Sequence, residues 1–245
     1  MKKKTIFISG SSRGIGFEIA HLLSKNKNYN IIINSRSLKK LKFAAKKIKN
    51  CKYIAGDITN QKDLKKIYKK LKKIDVLICN VGNSSSVIAG KEKKEDWDKS
   101  FKENFFSSVN LIKILEKKLM KTKGMIICIS SICGVEYIKG APITYSVSKS
   151  ALNTFVKIYS KILGPKGVKI NAIAPGNILF AGSVWEKKLK KNKRYVKKII
   201  NDEVSLKKLG SADDISNMVN YFINNNSEFI NGSIFVIDGG QLKSF

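Results

Sequence analysis

The feature that most constrains this chain is an alternation: short apolar, β-branched runs recur between longer segments whose apolar residues fall three and four apart. A strand buried on both faces reads as a continuous apolar run, and an amphipathic helix as an i, i+3, i+4 pattern. Repeated in series, the two make βα units, which build a parallel sheet covered by helices. Strands are expected at residues 5–9, 30–34, 52–55, 75–80, 125–130, 168–172 and 233–237, and helices near 14–26, 38–49, 61–73, 95–121, 144–163 and 212–225. The expected fold is α/β, one doubly wound seven-stranded parallel sheet with helices on both faces, in a single domain spanning residues 1–245. Residues 177–210 break the regularity and read as an insertion between the sixth and seventh strands.

Composition narrows the classes further. With 245 residues, 43% of them hydrophobic and only three prolines, the chain can bury a sizeable core and is neither disordered nor collagen-like. Its longest aliphatic runs, such as 31–33 and 125–127, fall far short of the roughly 20 residues of a membrane span. The basic start at Met1–Lys4 precedes too short an apolar stretch for a secretory signal, so a cytoplasmic protein is expected. Four cysteines (51, 79, 128 and 133) show no metal spacing, and His21 is the single histidine, so no metal site is expected. The net charge of +30 is almost all lysine, because only Arg13, Arg36 and Arg194 are arginine. A field of that sign attracts polyanions, but these lysines are spread over helix faces rather than gathered in one arm, so nucleic acid is not the expected partner.

Chemistry first shows at the end of strand one, where Ser9-Gly10-Ser11-Ser12-Arg13-Gly14-Ile15-Gly16 leads into a helix. Strand, glycine-rich turn and helix in that order cradle a pyrophosphate: backbone N–H groups approach the phosphates and the helix N-terminus favours negative charge. Further along come Asp57-Ile58, Asn80-Val81-Gly82, Asn104, Ser130-Ser131, Tyr145-Ser146-Val147-Ser148-Lys149, Asn171-Ala172-Ile173-Ala174-Pro175-Gly176 and Ile237-Asp238-Gly239-Gly240. In this order the set resembles the short-chain dehydrogenase/reductase family, over essentially the whole chain.

That resemblance implies a single-domain Rossmann fold and hydride exchange between a nicotinamide and a carbonyl or secondary alcohol. Tyr145 and Lys149 are four apart, so a helix puts both on one face. Bringing a phenol from about 10 to near neutrality takes roughly 4 kcal/mol, within reach of an adjacent ammonium and a cationic nicotinamide ring in a desolvated pocket. Tyr145 is therefore assigned as general acid/base, Lys149 as its modulator and ribose partner, and Ser131 as the hydroxyl orienting the carbonyl. By resemblance, Asn104 would hold a water linking Lys149 to solvent. Ser131 to Tyr145 spans 14 positions, one more than in many relatives, which leaves Ser130 as a second candidate for the serine role.

The cofactor site implied comprises Gly10, Ser12, Arg13, Gly14, Ile15, Gly16, Ser35, Arg36, Asp57, Ile58, Asn80, Gly82, Tyr145, Lys149, Pro175, Gly176 and Ile178. After Pro175-Gly176 the run Asn177-Ile178-Leu179-Phe180 lacks the threonine that relatives often place against the nicotinamide. Strand two ends in Ser35-Arg36 instead of the acid that would hold a ribose diol, and Arg13 lies in the glycine turn. Two scarce guanidinium forks at one predicted spot select NADP(H).

Segment 177–210 reads as a substrate lid, with Phe180, Trp185 and a dense basic stretch from Lys187 to Lys198. It is either a cover for an anionic carbonyl or thioester-linked substrate or simply a solvated helix. The resemblance points to 3-oxoacyl-carrier-protein reductases in fatty acid synthesis or to reductases of surface-glycan sugars, and to a homotetramer without membrane attachment. The reading from another class is a non-catalytic nucleotide- or RNA-binding protein on the same fold.

Overall fold

A computed structural model describes residues 3–85, 87–225 and 228–243; of the basic start, Met1 and Lys2 lie outside them. The strands among them are β1 (Lys4–Ile8), β2 (Tyr29–Ser35), β3 (Cys51–Ala55), β4 (Val76–Cys79), β5 (Met125–Ile129), β6 (Lys169–Pro175), β7 (Ile178–Leu179), β8 (Gly210–Ser211) and β9 (Ile234–Ile237). The helices are α1 (Gly14–Leu23), α2 (Leu38–Lys47), α3 (Gln61–Lys70), α4 (Lys94–Phe101), α5 (Ser107–Thr122), α6 (Ile143–Leu163), α7 (Val184–Lys191), α8 (Lys193–Glu203) and α9 (Ala212–Asn224).

Seven strands pair in parallel in the order β3-β2-β1-β4-β5-β6-β9, the doubly wound sheet expected from the alternation. Ile6, Phe7 and Ile8 of β1 and all of β4 are buried because helices cover both faces. One core, around Ile6, Ile8, Ile19, Leu23 and Val219, lies under α1 and α9; the other, around Phe7, Leu64, Leu111, Leu152 and Val156, lies under α3, α5 and α6. The winding reverses between β1 and β4, and in such sheets ligands bind at the carboxyl ends of the strands beside that reversal.

Three features differ from the sequence expectation. The helix expected over 95–121 is two α-helices joined by a π-helical turn at Lys102–Phe106. Strand β6 runs to Pro175, beyond residue 172, because β5 and β9 pair with it on either side. The insertion contains α7 and α8, and its two ends are clipped together where Ile178 and Leu179 pair with Gly210 and Ser211. No described helix is long and apolar enough to cross a membrane.

Candidate active site

The glycine turn is shaped by close packing. Gly10 and Gly14 have φ of +63° and +60°, where a side chain would strain the backbone. A Cβ on Gly16 would lie 2.5 Å from the Asn80 amide nitrogen and 2.9 Å from the Gly10 carbonyl oxygen. Asn80 braces the turn: its Nδ2 donates to the carbonyls of Ser9 (3.2 Å) and Gly10 (3.1 Å), and its backbone N–H donates to Ser9 Oγ (3.0 Å). Helix α1 has no side-chain cap and no acid in its first turn, whereas α2, α3, α7, α8 and α9 are all capped by side chains. Uncapped amide groups beside three close-packed glycines suit the pyrophosphate of a dinucleotide, so the residues fit that class of cofactor.

The other residues expected to hold the cofactor lie along the same edge. Ser35 and Arg36 follow the end of β2, Ser35 Oγ donating to Ser37 O at 3.4 Å and Arg36 standing exposed. The Asp57 carboxylate accepts the backbone N–H and hydroxyl of Thr59, both at 2.8 Å, and Ile58 is buried. Arg13 is exposed, and its Nη1 donates to Gly182 O at 3.4 Å, so it meets the insertion. The Phe180 ring packs on the turn itself, 2.6 Å from where a Gly14 Cβ would stand. Ser12 and Ile15 are half-buried in the turn, and Pro175, Gly176 and Ile178 end β6 and begin the insertion.

The catalytic residues expected from the sequence come together beside β4 and β5. Lys149 is 3% exposed; its Nζ donates to the Ile129 carbonyl at 2.8 Å and lies 5.9 Å from the Tyr145 ring centroid. A Cβ on Gly82 would stand 3.2 Å from Lys149 Nζ and 3.1 Å from Asn104 Oδ1, so the amine and the amide converge on one glycine. The π turn sets Asn104 there. Asn104 Oδ1 accepts from Asn83 N–H (2.7 Å), and its Nδ2 reaches the carbonyls of Asn83 (3.0 Å) and Ser100 (3.1 Å). Such turns recur at functional sites because the extra residue re-aims a side chain.

The two serines separate clearly. Ser130 Oγ donates to Asn153 Oδ1 at 2.6 Å, and Asn153 Nδ2 in turn donates to Gly134 O at 2.9 Å, which fixes the loop to α6. Ser131 caps the short turn Ile132–Gly134, its Oγ accepting from Cys133 N–H at 3.2 Å, and its hydroxyl acts on the Tyr145 phenol, favouring the ionised form. Of the two, Ser131 is the one whose hydroxyl is not committed to Asn153 of α6.

Burial is the main force on both titrating groups. It raises the Tyr145 phenol above its ordinary value, with the Ser131 hydrogen bond acting the other way, and it pushes Lys149 down to about 8. The lowered phenol expected from an adjacent ammonium is thus not the state of the protein alone, because burial outweighs the influences that favour the phenolate. Burial raises the half-buried Cys133 thiol, with the positive charges of Lys149 and Lys188 acting the other way, and Lys188 Nζ lies 4.5 Å from the Trp185 ring centroid.

An uncapped helix after a glycine turn, with a serine, tyrosine, lysine and asparagine gathered at the neighbouring strand ends, defines a nucleotide-dependent oxidoreductase site. The chain belongs to the short-chain dehydrogenase/reductase family: the family model described as Enoyl-(Acyl carrier protein) reductase matches residues 10–241. Among its relatives is the 3-oxoacyl-[acyl-carrier-protein] reductase FabG of Rickettsia felis, 32% identical over 241 residues that cover 98% of this chain and 97% of the relative. Isoepoxydon dehydrogenase patN of Penicillium expansum is 27% identical over 252 residues, covering 98% and 95%. Among solved structures, YwfH, an NADPH dependent reductase involved in bacilysin biosynthesis, superposes with a TM-score of 0.91 at 26% identity over the whole of both chains. L-sorbose reductase from Gluconobacter frateurii, complexed with NADPH and L-sorbose, gives 0.90 at 24% identity over 100% and 98%.

Proposed function

We propose that this oxidoreductase is an NADP(H)-dependent carbonyl reductase working reversibly on a ketone or secondary alcohol. The observation that carries the proposal is the convergence of Lys149 Nζ and Asn104 Oδ1 on Gly82, with Tyr145 one helical turn before Lys149 on the same helix. The turn from Gly10 to Gly16 would hold the pyrophosphate, with Ser35 and Arg36 at the adenosine ribose, Asp57 and Ile58 at the adenine, and Ile178 at the nicotinamide. When bound, the dinucleotide supplies or accepts the hydride. Ser131 orients the carbonyl oxygen with its hydroxyl. Tyr145, whose phenol burial keeps protonated, donates its proton to that oxygen in reduction and recovers it in oxidation. Lys149, near its titration point around pH 8, hands a proton towards Tyr145, and Asn104 holds the water that refills it.

NADPH named with YwfH and with the sorbose reductase supports the choice of cofactor, together with the missing acid at the end of β2. The substrate class follows two leads, an acyl-carrier thioester from the 3-oxoacyl reductase relatives and a keto-sugar from the sorbose reductase. The basic stretch from Lys187 to Lys198 supports an insertion that covers a carbonyl compound bearing negative charge. A homotetramer is part of the proposal: Phe106, Val147, Ile158 and Ile162 stand exposed around a groove formed by Phe105, Ala151 and Phe155, and edge strand β9 exposes Val236. So is the cytoplasmic location expected from the sequence. The decisive experiment follows NADPH consumption with acetoacetyl thioesters, keto-sugars and simple ketones. Tyr145→Phe should lose turnover about 1,000-fold while still binding NADPH; near-normal turnover would overturn the assignment.

A further inference from the structure

Ser131, Asn177 and Gln241 leave three neighbouring strands at one edge of the sheet. Ile129 of β5 pairs with Ile173 of β6, and Pro175 of β6 pairs with Ile237 of β9. Ser131 stands two residues past the end of β5, Asn177 two past the end of β6 and Gln241 four past the end of β9. The segment bearing Gln241 is fixed on several sides. The Asp238 carboxylate accepts from the N–H groups of Gly240 (2.9 Å) and Leu242 (2.8 Å), and Ser205 Oγ at the end of the insertion donates to Gly240 O (2.9 Å). The Lys243 N–H donates to Glu136 Oε2 (3.3 Å) on the loop that follows Ser131, and Gly176 packs directly on the Asp238 backbone. Gln241 therefore sits where the insertion, the Pro175-Gly176 turn and the serine loop meet.

On this frame two amide atoms are buried with no hydrogen-bond partner among the described residues: Gln241 Oε1, an acceptor on a side chain 7% exposed, and Asn177 Nδ2, a donor. Folded proteins pair nearly all such atoms, and an aliphatic residue would be cheaper at either position. An unpaired donor and acceptor on loops that leave the same strand ends as Ser131 are what a site built to hydrogen-bond its substrate shows while the substrate is absent.

We propose that Gln241 and Asn177 form a polar specificity subsite for the carbonyl substrate, reading a hydroxyl or amide group elsewhere on that molecule. The group's O–H or N–H donates to Gln241 Oε1, and its oxygen accepts from Asn177 Nδ2. This rests on the carbonyl-reductase reading above.

The test uses two matched ketone pairs with the full-length protein and NADPH. In one, S-(2-acetamidoethyl) acetothioacetate is compared with S-pentyl acetothioacetate, which lacks the amide. In the other, erythrulose is compared with 2-butanone, which lacks the hydroxyls. Gln241→Leu and Asn177→Ala should each lower the polar-to-alkyl ratio of kcat/KM about tenfold in one pair, and the pair affected tells amide from hydroxyl. Ligand-free Gln241→Leu should melt at or above the wild-type temperature, because it removes an unpaired acceptor. Ratios unchanged in both pairs, or a fall in Tm of several degrees, would overturn the subsite. If the melting result holds while the wild type reduces no ketone of either pair, it is the reductase reading that fails.

Discussion

Helices α6 and α7 both serve the proposed site, yet nine residues of α6 are buried and none of α7 is. Helix α6 packs Leu152, Val156 and Leu163 into the core beneath the sheet, so Tyr145 and Lys149 inherit the rigidity of that core. Helix α7 is held instead by its Ser183 cap, by Gly182 N–H donating to Glu186 Oε2 at 2.7 Å, and by an exposed Lys190–Glu186 ion pair at 3.2 Å. Proton transfer needs fixed distances, and a cover over a substrate needs an easily reversed attachment. The fold spends its packing on the first and leaves the second to surface polar contacts.

Disturbing the two regions should separate them by size of effect. The largest should come from the buried amine. Unfolded lysine keeps its proton to about pH 10.4, whereas Lys149 in the folded protein releases it near 8. Between those values the unfolded chain binds more protons, so stability rises with pH through that window; below it the full cost of burying the charge persists. Relative to Lys149→Met, the wild type should gain on the order of 3 kcal/mol from pH 8 to 10.5 in denaturant titrations. A flat difference would mean that the amine is not desolvated.

Next in size is Asn104→Ala, which leaves the Asn83 N–H without its acceptor and empties the π turn. It should cost about 2 kcal/mol in urea unfolding and lower kcat more than KM. Arg36→Ala should reduce the NADPH-over-NADH ratio of kcat/KM roughly tenfold, an effect that added salt should shrink. Equal use of both cofactors by the wild type would remove the premise. Lys190→Ala should be the smallest, under about 0.5 kcal/mol by thermal melting, because an exposed pair contributes little. A larger loss would show that α7 is held as firmly as α6.

Much of the site is legible in the sequence, because its residues are placed by local rules. Tyr145 and Lys149 share a helix face by spacing alone, and Gly10, Gly14 and Gly16 mark a turn that side chains would block. Position within a motif did not reveal what each residue bonds to. Asn80, expected at the cofactor, uses its amide to brace the turn, and Ser130, one residue from Ser131, is committed to Asn153. Gln241 has no signature in the string beyond a polar residue after Asp238-Gly239-Gly240, because an orphaned acceptor is a property of surroundings.

The sequence by itself determined the parallel α/β sheet, the strand order's glycine-lined edge and the tyrosine–lysine face, since these follow from hydrophobic period and from short-range steric limits on the backbone. Only the tertiary structure decided that a π turn aims Asn104 at Gly82, that Arg13 meets Gly182 and that Lys149 titrates near 8. Those outcomes depend on which distant segments pack together and on how far water is excluded between them, and neither is encoded at any one position of the chain.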